Sequence, residues 1–427
     1  MKKLLLLLLM LLLAIPAYAM EPPDIDFGGH VRFRGYSFDN VWDFDDSNDF
    51  DNWQVFRLRT QLHAGADLGD NVSGFIQLAN QNYGEGVTYA DEWEKDNESN
   101  KVFVDNAYID IDNIFSMPLS LRLGRQNLMY GSGFVLFDGQ SQYASTSIYF
   151  DGVKFTWDIT EQTKLDLLYM KDQENERADG ADDDITLSGG YLTGHCPILG
   201  GQQEAYILNR HDQDFGKDIW MYGIRLSDRF DCGLDYSGEI AYQGGDFNET
   251  TDQDALGYKL ETGYTFDLAL SPRFFIGYTA LSGDEQGTSD NESWDVFYGG
   301  WPQFGDLLAW TFVNIPPNVA ADPTGFKNSN STTGEANYTN LNLPKIGLSC
   351  EYDKYFAQLS YTKMTIDEVQ TAGADDDFGD YYQLKAKYQY SKYLSFAGYA
   401  AMIEPGDAFA SDADSSYETY WETRIDF

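Results

Sequence analysis

Four arginines occupy two segments near the start of the chain, and their spacing suits the binding of anions. Arg32 and Arg34 are separated by one residue, and Arg57 and Arg59 repeat that pattern. A guanidinium group binds a carboxylate or phosphate group through two parallel hydrogen bonds. On neighbouring strands, which lie about 5 Å apart, the four groups would crowd one patch of wall. This patch is the main candidate for binding or selecting an anionic solute.

Further basic residues lie on the polar faces of predicted strands along the rest of the chain. They are Arg122, Lys154, Arg225, Lys385 and Lys387, and together with Arg125, which strict alternation puts on the opposite face, they complete the candidate substrate-binding set. Acids share these faces, among them Asp166, Glu239, Glu418 and Glu422. The arginines therefore have two possible roles, because they either bind a passing anion or pair with these carboxylates and brace the wall.

Catalytic and metal chemistry find little support in the sequence. The only histidines are His30, His63, His195 and His211, and no serine near them forms a recognisable nucleophile arrangement. His195 and Cys196 supply two potential zinc ligands, which are too few for a zinc site. We therefore expect a non-enzymatic protein without a cofactor or a metal.

The dominant pattern of the sequence is alternation of apolar and polar residues in segments of about ten. In residues 55–68, 257–268 and 381–390 the apolar side chains occupy the even positions and charged residues fall among the odd ones. This period of two predicts strands with one apolar face. Sixteen such strands can be placed, and a further hairpin at 188–195 and 204–210 makes eighteen.

Two observations favour a membrane barrel over a soluble sandwich. Tight turns such as 69–71 and 353–354 alternate with long connections, the longest at 283–340, and outer-membrane barrels have short periplasmic turns and long external loops. One alternating face also runs from Tyr417 to the final Phe427, and this ending resembles the signal read by the barrel assembly machinery. The sequence thus predicts an all-β, transmembrane, antiparallel up-and-down barrel of about eighteen strands, with sixteen as the alternative.

The N-terminus fits this location. Residues 1–19 have the pattern of a secretory signal peptide, with two lysines, an apolar run too short to span a membrane and a cleavage site at Ala17-Tyr18-Ala19. Residues 20–427 are then expected to form a single barrel domain that reaches the bacterial outer membrane through the periplasm.

The charge of the chain excludes one class of partner. There are 28 Lys plus Arg against 69 Asp plus Glu, for a net charge of −41, so the protein repels nucleic acids. The acid is concentrated in runs such as 43–51, 91–98 and 284–295, which fall in predicted external loops. These runs form a solvated rim or, alternatively, bridge divalent cations. In either case the local charge of the lumen, and not the net charge, would set selectivity.

The three cysteines are too few for a disulfide framework. If residues 188–210 form a hairpin, Cys196 lies near its periplasmic turn and Cys232 lies near the next one. A disulfide between these two residues is a hypothesis for an oxidising compartment.

Several local patterns resemble the alginate-export family of outer-membrane porins. They include Leu121-Arg122-Leu123-Gly124-Arg125-Gln126 and Phe150-Asp151-Gly152-Val153-Lys154-Phe155, within an ordered set that spans roughly residues 27 to 427. The resemblance implies eighteen strands and the passage of an acidic polysaccharide through a basic lumen. It also implies that Arg125 acts inside the barrel. Strict alternation puts Arg125 on the lipid face, so either a β-bulge turns it inward or it lies at the membrane interface; the family motif favours the bulge.

These observations predict an outer-membrane channel for anionic solutes, most concretely one that exports an alginate-like or other acidic polysaccharide. The alternatives are a general nutrient-uptake porin and a structural or adhesive protein whose barrel anchors its acidic loops. The expected partners are membrane lipid, the anionic polysaccharide or small anions, and the assembly machinery. We expect the barrel to be monomeric.

Overall fold

The computed structural model describes most of the chain. The described residues are 23–41, 44–47, 52–83, 102–137, 149–173, 184–195, 200–213, 215–299, 304–308, 311, 339–370, 373–409 and 411–427. The predicted signal peptide lies outside them, as do the acidic run 91–98 and Cys196.

Eighteen strands make up nearly all of the described structure. They are β1 (Asp24–Asp39), β2 (Trp53–Asp67), β3 (Val72–Tyr83), β4 (Val102–Ile111), β5 (Leu119–Gln126), β6 (Phe150–Thr160), β7 (Thr163–Gln173), β8 (Ile185–His195), β9 (Gln202–Asp212), β10 (Lys217–Arg229), β11 (Leu234–Asn248), β12 (Thr251–Thr265), β13 (Arg273–Leu281), β14 (Leu341–Tyr352), β15 (Tyr355–Ile366), β16 (Asp377–Gln389), β17 (Leu394–Pro405) and β18 (Ser416–Asp426). A single 3₁₀ turn, Ile114–Ser116, lies between β4 and β5. Within the described ranges, no helix is long and apolar enough to cross a membrane.

The strands form one closed antiparallel barrel. Each strand pairs with its neighbours in the chain, and β1 pairs with β18 to close the ring. The closure extends to the last residue, because the Phe427 N–H donates to the Gly29 carbonyl at 3.0 Å and the Gly29 N–H donates to the Phe427 carbonyl at 2.9 Å. A closed ring leaves no strand edge unpaired, as a hydrocarbon environment requires. The prediction of eighteen strands is confirmed, including the hairpin that is now β8 and β9.

The start of β1, the end of β18 and the short turns lie at one end of the barrel, which is the periplasmic end of an outer-membrane barrel. The opposite, external end carries most of the long connections, but two of its connections are short: residues 213–216 and 249–250. The sequence-based alternation stops at Gly244-Gly245, whereas β11 and β12 continue through this region and meet in a two-residue turn. These strand ends cannot be recognised from alternation, because their glycines and polar residues form no apolar face.

The outer surface of the barrel is apolar. Many large outward side chains are exposed, for example Phe33, Phe56 and Leu62. The alternating face of β18 also points outward, from Tyr417 through Trp421 to Phe427. This face contacts lipid, so the period-two pattern correctly predicted which side chains of this strand point inward and which point outward.

Much of the external half of the lumen is lined by apolar side chains, which differs from the polar lumen predicted for every strand, although buried polar residues such as Arg210, Gln243 and Asp295 also lie there. Two loop segments, 128–137 and 294–298, fold into the barrel and join through a bridge between Leu136 and Tyr298. The external strand ends pack against these loops with inward apolar side chains, including Phe150, Leu168, Met170, Leu187, Leu208 and Met221. A wall that contacts a loop instead of water buries apolar surface, and this favours apolar residues there.

Candidate functional site

The four arginines predicted to lie side by side do so. Arg32 is the cross-strand partner of Arg59, and Arg34 is the partner of Arg57. All four side chains point into the lumen and are almost fully buried, with exposures between 1% and 4%. We call this patch of β1 and β2 the arginine ladder.

The outward residues of the same strands hold the ladder in place. Phe33 alternates with the arginines of β1, and its ring lies 5.5 Å from Phe56 of β2 and 5.4 Å from Trp421 of β18. These three rings form an aromatic cluster on the lipid face. Because successive side chains of a strand point to opposite faces, packing this cluster outward fixes the guanidinium groups inward.

The negative charges that face the ladder come from outside β1 and β2. Glu422 of β18 accepts a hydrogen bond from Arg34 Nε at 2.5 Å and lies 3.9 Å from Arg32 Nε. Asp306, in the connection between β13 and β14, places its Oδ2 atom 3.8 Å from Arg34 Nη1. Glu418 of β18 is fully buried near the same patch, and neither of its carboxylate oxygens has a hydrogen-bond partner among the described residues. Arg34 therefore pairs with lumenal carboxylates, which is the arrangement expected if the arginines brace the wall.

Tyrosine rings continue the lining beside the ladder. Tyr36 lies 5.2 Å from Tyr420, which in turn lies 4.9 Å from Tyr399. The Arg34 guanidinium sits 4.6 Å from the centre of the Tyr420 ring and donates to the Tyr36 hydroxyl at 2.8 Å. Cation–π contact and hydrogen bonding together restrict this guanidinium to one position.

A second set of charges crosses β9 to β12. Glu204, Arg225, Glu239 and Lys259 are successive cross-strand partners, so acid and base alternate along one row. Arg225 lies 2.7 Å from Glu204 and 3.8 Å from Glu239. Tyr191 and Tyr206 donate to Glu204 and Glu239, respectively. In this alternating row, each charged side chain therefore has an opposite charge on a neighbouring strand.

Most of the other predicted site residues also line the lumen. Arg122 pairs with Asp110 through hydrogen bonds of 2.7 and 2.8 Å and stacks over Tyr108. Lys154, the cross-strand partner of Arg122, borders a polar cavity of about 360 Å³ and forms no ion pair with a described residue. Lys385 lies opposite Tyr399, and Lys387 is exposed toward the periplasmic mouth.

Arg125 is the exception, and the bulge expected to turn it inward is absent. β5 pairs without a register shift, and Arg125 lies opposite the outward Asp151. Its guanidinium forms hydrogen bonds of 2.9 and 2.7 Å with the Asp151 carboxylate and lies 4.1 Å from the Tyr149 ring. A carboxylate partner on the same face offsets the cost of an outward arginine, so alternation need not break.

Sequence reasoning missed one residue at the ladder and one at the loops. Asp306 follows no strand pattern, and only the fold brings it to Arg34. Asp295 holds the inner loop segment, since its carboxylate lies 3.2 Å from Lys217 and 3.5 Å from Arg210. Burial raises the pKa of Asp295, but Lys217 and Arg210 outweigh burial and lower this pKa to about 2.

The remaining site predictions concern thiols and metals. The hypothetical disulfide is not formed in this structure, where Cys232 is an exposed free thiol, and Cys196 lies outside the described residues. Among the described residues, no group of three or more His, Cys, Asp and Glu side chains is placed to hold a metal ion.

The sequence of the barrel matches a known family. The model of the alginate export family covers residues 24–422, which is nearly the whole chain. The protein belongs to the alginate export family. No curated protein sequence matches it. The family assignment confirms the resemblance seen in the sequence.

Solved porin structures share the fold of this alginate export family member. OccAB4 of Acinetobacter baumannii is 11% identical, with a TM-score of 0.59 over 95% of this chain and 98% of its own. A BenF-like porin from Pseudomonas fluorescens Pf-5 is 10% identical, with a TM-score of 0.58 over 94% and 98%. OprD of Pseudomonas aeruginosa is 13% identical, with a TM-score of 0.54 over 95% of both chains. Together the family and the fold identify an outer-membrane channel.

Proposed function

We propose that this channel passes anionic polysaccharide, of an alginate-like or other uronate-containing type, outward across the outer membrane. The observation that carries the proposal is the arginine ladder, four guanidinium groups buried near the middle of the lumen wall. Membership of the alginate export family supports the direction and the type of polymer.

The ladder concentrates positive charge where screening by water is weakest. Charges that line a narrow pore between low-dielectric walls raise the local concentration of the opposite ion. Most of the acid falls in the external connections of the sequence, so we expect the local charge of the lumen, and not the net charge of −41, to set the field at the ladder. A carboxylate that reaches the ladder can form paired hydrogen bonds with a guanidinium group.

A polymer needs several weak sites instead of one strong site, because binding must also allow release. The lumen meets this requirement. Beyond the ladder, basic residues lie on the inner faces of strands all round the barrel, including Arg122, Lys154, Arg225, Lys259, Arg273, Lys345 and Lys385. Several of these are balanced by nearby carboxylates, which limits the strength of each contact.

Planar-bilayer recording of the purified barrel tests the proposal. We expect the reversal potential in a salt gradient to show preference for anions over cations. Oligomers of mannuronate or guluronate should block the current at lower concentration than neutral maltodextrins of equal length.

The same recording separates the alternatives. A barrel that only anchors loops would show no open pore. A general uptake porin would show equal block by charged and neutral oligomers. Either result would overturn the proposal.

A further inference from the structure

The outer wall of the barrel carries an apolar groove near its periplasmic end. It spans β14 to β17, has a volume of about 430 Å³, and is lined mainly by Leu270, Cys350, Tyr352, Tyr355, Ala357, Ala386, Tyr388, Phe396 and Gly398. The groove faces lipid and is separate from the lumen that forms the proposed channel.

Strand register builds the groove. Tyr352, Tyr355, Tyr388 and Phe396 are successive cross-strand partners and form an aromatic ridge, in which the Tyr355 and Tyr388 rings lie 4.7 Å apart. One row deeper into the membrane, the outward residues are Cys350, Ala357, Ala386 and Gly398. Since tall and short side chains lie in adjacent rows, the second row is a trough beside the ridge.

The turn between β12 and β13 closes one end of the trough. The carbonyl of Leu270 accepts a hydrogen bond of 3.0 Å from the Glu351 N–H, which holds the turn against β14. The Leu270 side chain is 54% exposed and forms part of the groove lining.

Two lysines stand at the periplasmic rim of the groove. Lys354, in the turn before β15, donates from Nζ to the Tyr390 carbonyl at 3.2 Å, and the Tyr390 ring lies 6.4 Å from Phe396. Lys392, in the turn before β17, lies 5.1 Å from the centre of the Tyr393 ring. The two turns are two strands apart, or about 10 Å.

This pair is unusual for this end of the barrel. Within the described periplasmic connections, Lys354 and Lys392 are the basic residues. The turn of Lys354 also carries Asp353, and other connections carry acid at Asp70, Asp112, Glu161, Asp231 and Asp267. Positive charge above an apolar groove complements a ligand with an anionic head and an apolar tail.

We propose that the groove binds one anionic glycerophospholipid from the periplasmic leaflet. An acyl chain lies in the trough along Ala357, Ala386 and Gly398, and the headgroup phosphate lies between Lys354 and Lys392. The site selects anionic over zwitterionic lipid, because an ammonium group in the headgroup would cancel part of the attraction to the lysines.

Native mass spectrometry of the full barrel tests the site. The barrel is released from micelles that contain equal amounts of phosphatidylglycerol and phosphatidylcholine with identical chains. We expect one phosphatidylglycerol to be retained in preference. Lys354→Gln/Lys392→Gln should reduce that preference by roughly tenfold or more, since each basic residue at an anionic headgroup contributes a factor of about five.

Two further variants distinguish the site from general lipid contact. Arg229→Gln removes an exposed charge at the periplasmic end of β10, far from the groove, and should leave the preference unchanged, in contrast to Lys392→Gln alone. Gly398→Phe places a ring in the trough, and a Cβ added at this glycine meets only the Tyr420 carbonyl, at 4.0 Å. This variant should reduce retention of both lipids.

Heat-modifiable gel migration shows whether each variant is folded. The proposal is wrong if the wild-type barrel retains both lipids equally. It is also wrong if the folded Lys354→Gln/Lys392→Gln variant keeps the wild-type preference, or if the folded Gly398→Phe variant retains as much lipid as the wild type. It is also wrong if the groove is covered by a second copy, which would appear as a dimer without retained lipid.

Discussion

The arginine ladder and the alternating row lie in the same lumen wall, yet they handle charge in opposite ways. In the alternating row each charge has an opposite charge on the next strand, from Glu204 to Lys259. In the ladder each arginine faces another arginine, and the described carboxylates that face it come from β18 and from the β13–β14 connection. Two like charges about 5 Å apart repel by about 3 kcal/mol at an effective dielectric constant of about 20.

Under the proposed function, this difference separates a structural role for the alternating row from a transport role for the ladder. The charges of the alternating row are neutralised by the pairing of β9 to β12, so this row needs no outside ion. The ladder depends on anions from other parts of the chain, and one of them, Asp306, lies 3.8 Å from Arg34 with an Oδ2 atom that accepts no hydrogen bond from a described residue. A loosely held counter-ion can exchange with a passing carboxylate, whereas the tightly bound Glu422 cannot do so readily.

The largest expected effect comes from breaking the alternating row. Arg225→Gln leaves Glu204 and Glu239 facing each other, with side-chain exposures of 1% and 4%. Loss of one partner from a buried ion pair costs about 3–5 kcal/mol of unfolding free energy. Urea unfolding followed by heat-modifiable migration measures the loss. Arg229→Gln, exposed on the same strand, is the matched control and should change stability by less than about 0.5 kcal/mol. Equal stability of both variants would show that the alternating row does not stabilise the barrel.

Substitutions in the arginine ladder should change the ion selectivity of the channel and not the free energy of unfolding of the barrel. Arg57→Gln/Arg59→Gln should lower the anion-to-cation permeability ratio roughly fivefold or more, because two charges at close range contribute more than about 1 kcal/mol. Reversal potentials measure the ratio. Arg125→Gln/Asp151→Asn alters charge on the outer wall only and should leave it unchanged. Unaltered selectivity of the ladder variant would show that these arginines stabilise the barrel wall and do not select ions.

Asp306→Asn should act in the opposite direction and to a smaller extent. Removing this carboxylate leaves more positive potential at Arg34, so anion preference should rise by a factor of about two to five, as expected for one weak ion pair. Block by uronate oligomers should strengthen accordingly. Glu285→Gln, in the same connection but exposed, serves as the control. A fall in anion preference would mean that Asp306 positions Arg34 for binding instead of competing for it.

The smallest effect is a response of the inner loop to acid. The pKa of Asp295 is lowered to about 2 in the folded barrel. Its contribution to the stability of the folded loop is therefore complete above its ordinary pKa near 4 and is lost as the pH falls through 2. Trp294, buried at 2% exposure beside it, reports this release. The fluorescence difference between wild type and Trp294→Phe should stay constant from pH 7 to 4 and shift to longer wavelength toward pH 2. A shift complete at pH 5 would contradict the assigned ion pairs.

The sequence predicted the features that depend on local periodicity. A period of two fixes which face each side chain occupies, and this placed Arg32, Arg34, Arg57 and Arg59 inside and the Tyr417–Phe427 face outside. Counting such segments gave eighteen strands. The same rule also placed Arg125 on the outer wall. The prediction that Arg125 turns inward was wrong because it followed the family resemblance instead of this rule.

What only the tertiary structure decided is which distant residues meet. Arg34 and Glu422 are 388 residues apart in the chain and become neighbours because β1 pairs with β18. Asp306 reaches the ladder through a connection without periodicity, and the inward apolar residues of the external half make sense only once loops fold against them. Periodicity is set by the geometry of one strand, whereas counter-charges and loop contacts depend on barrel closure, which brings the two ends of the sequence together.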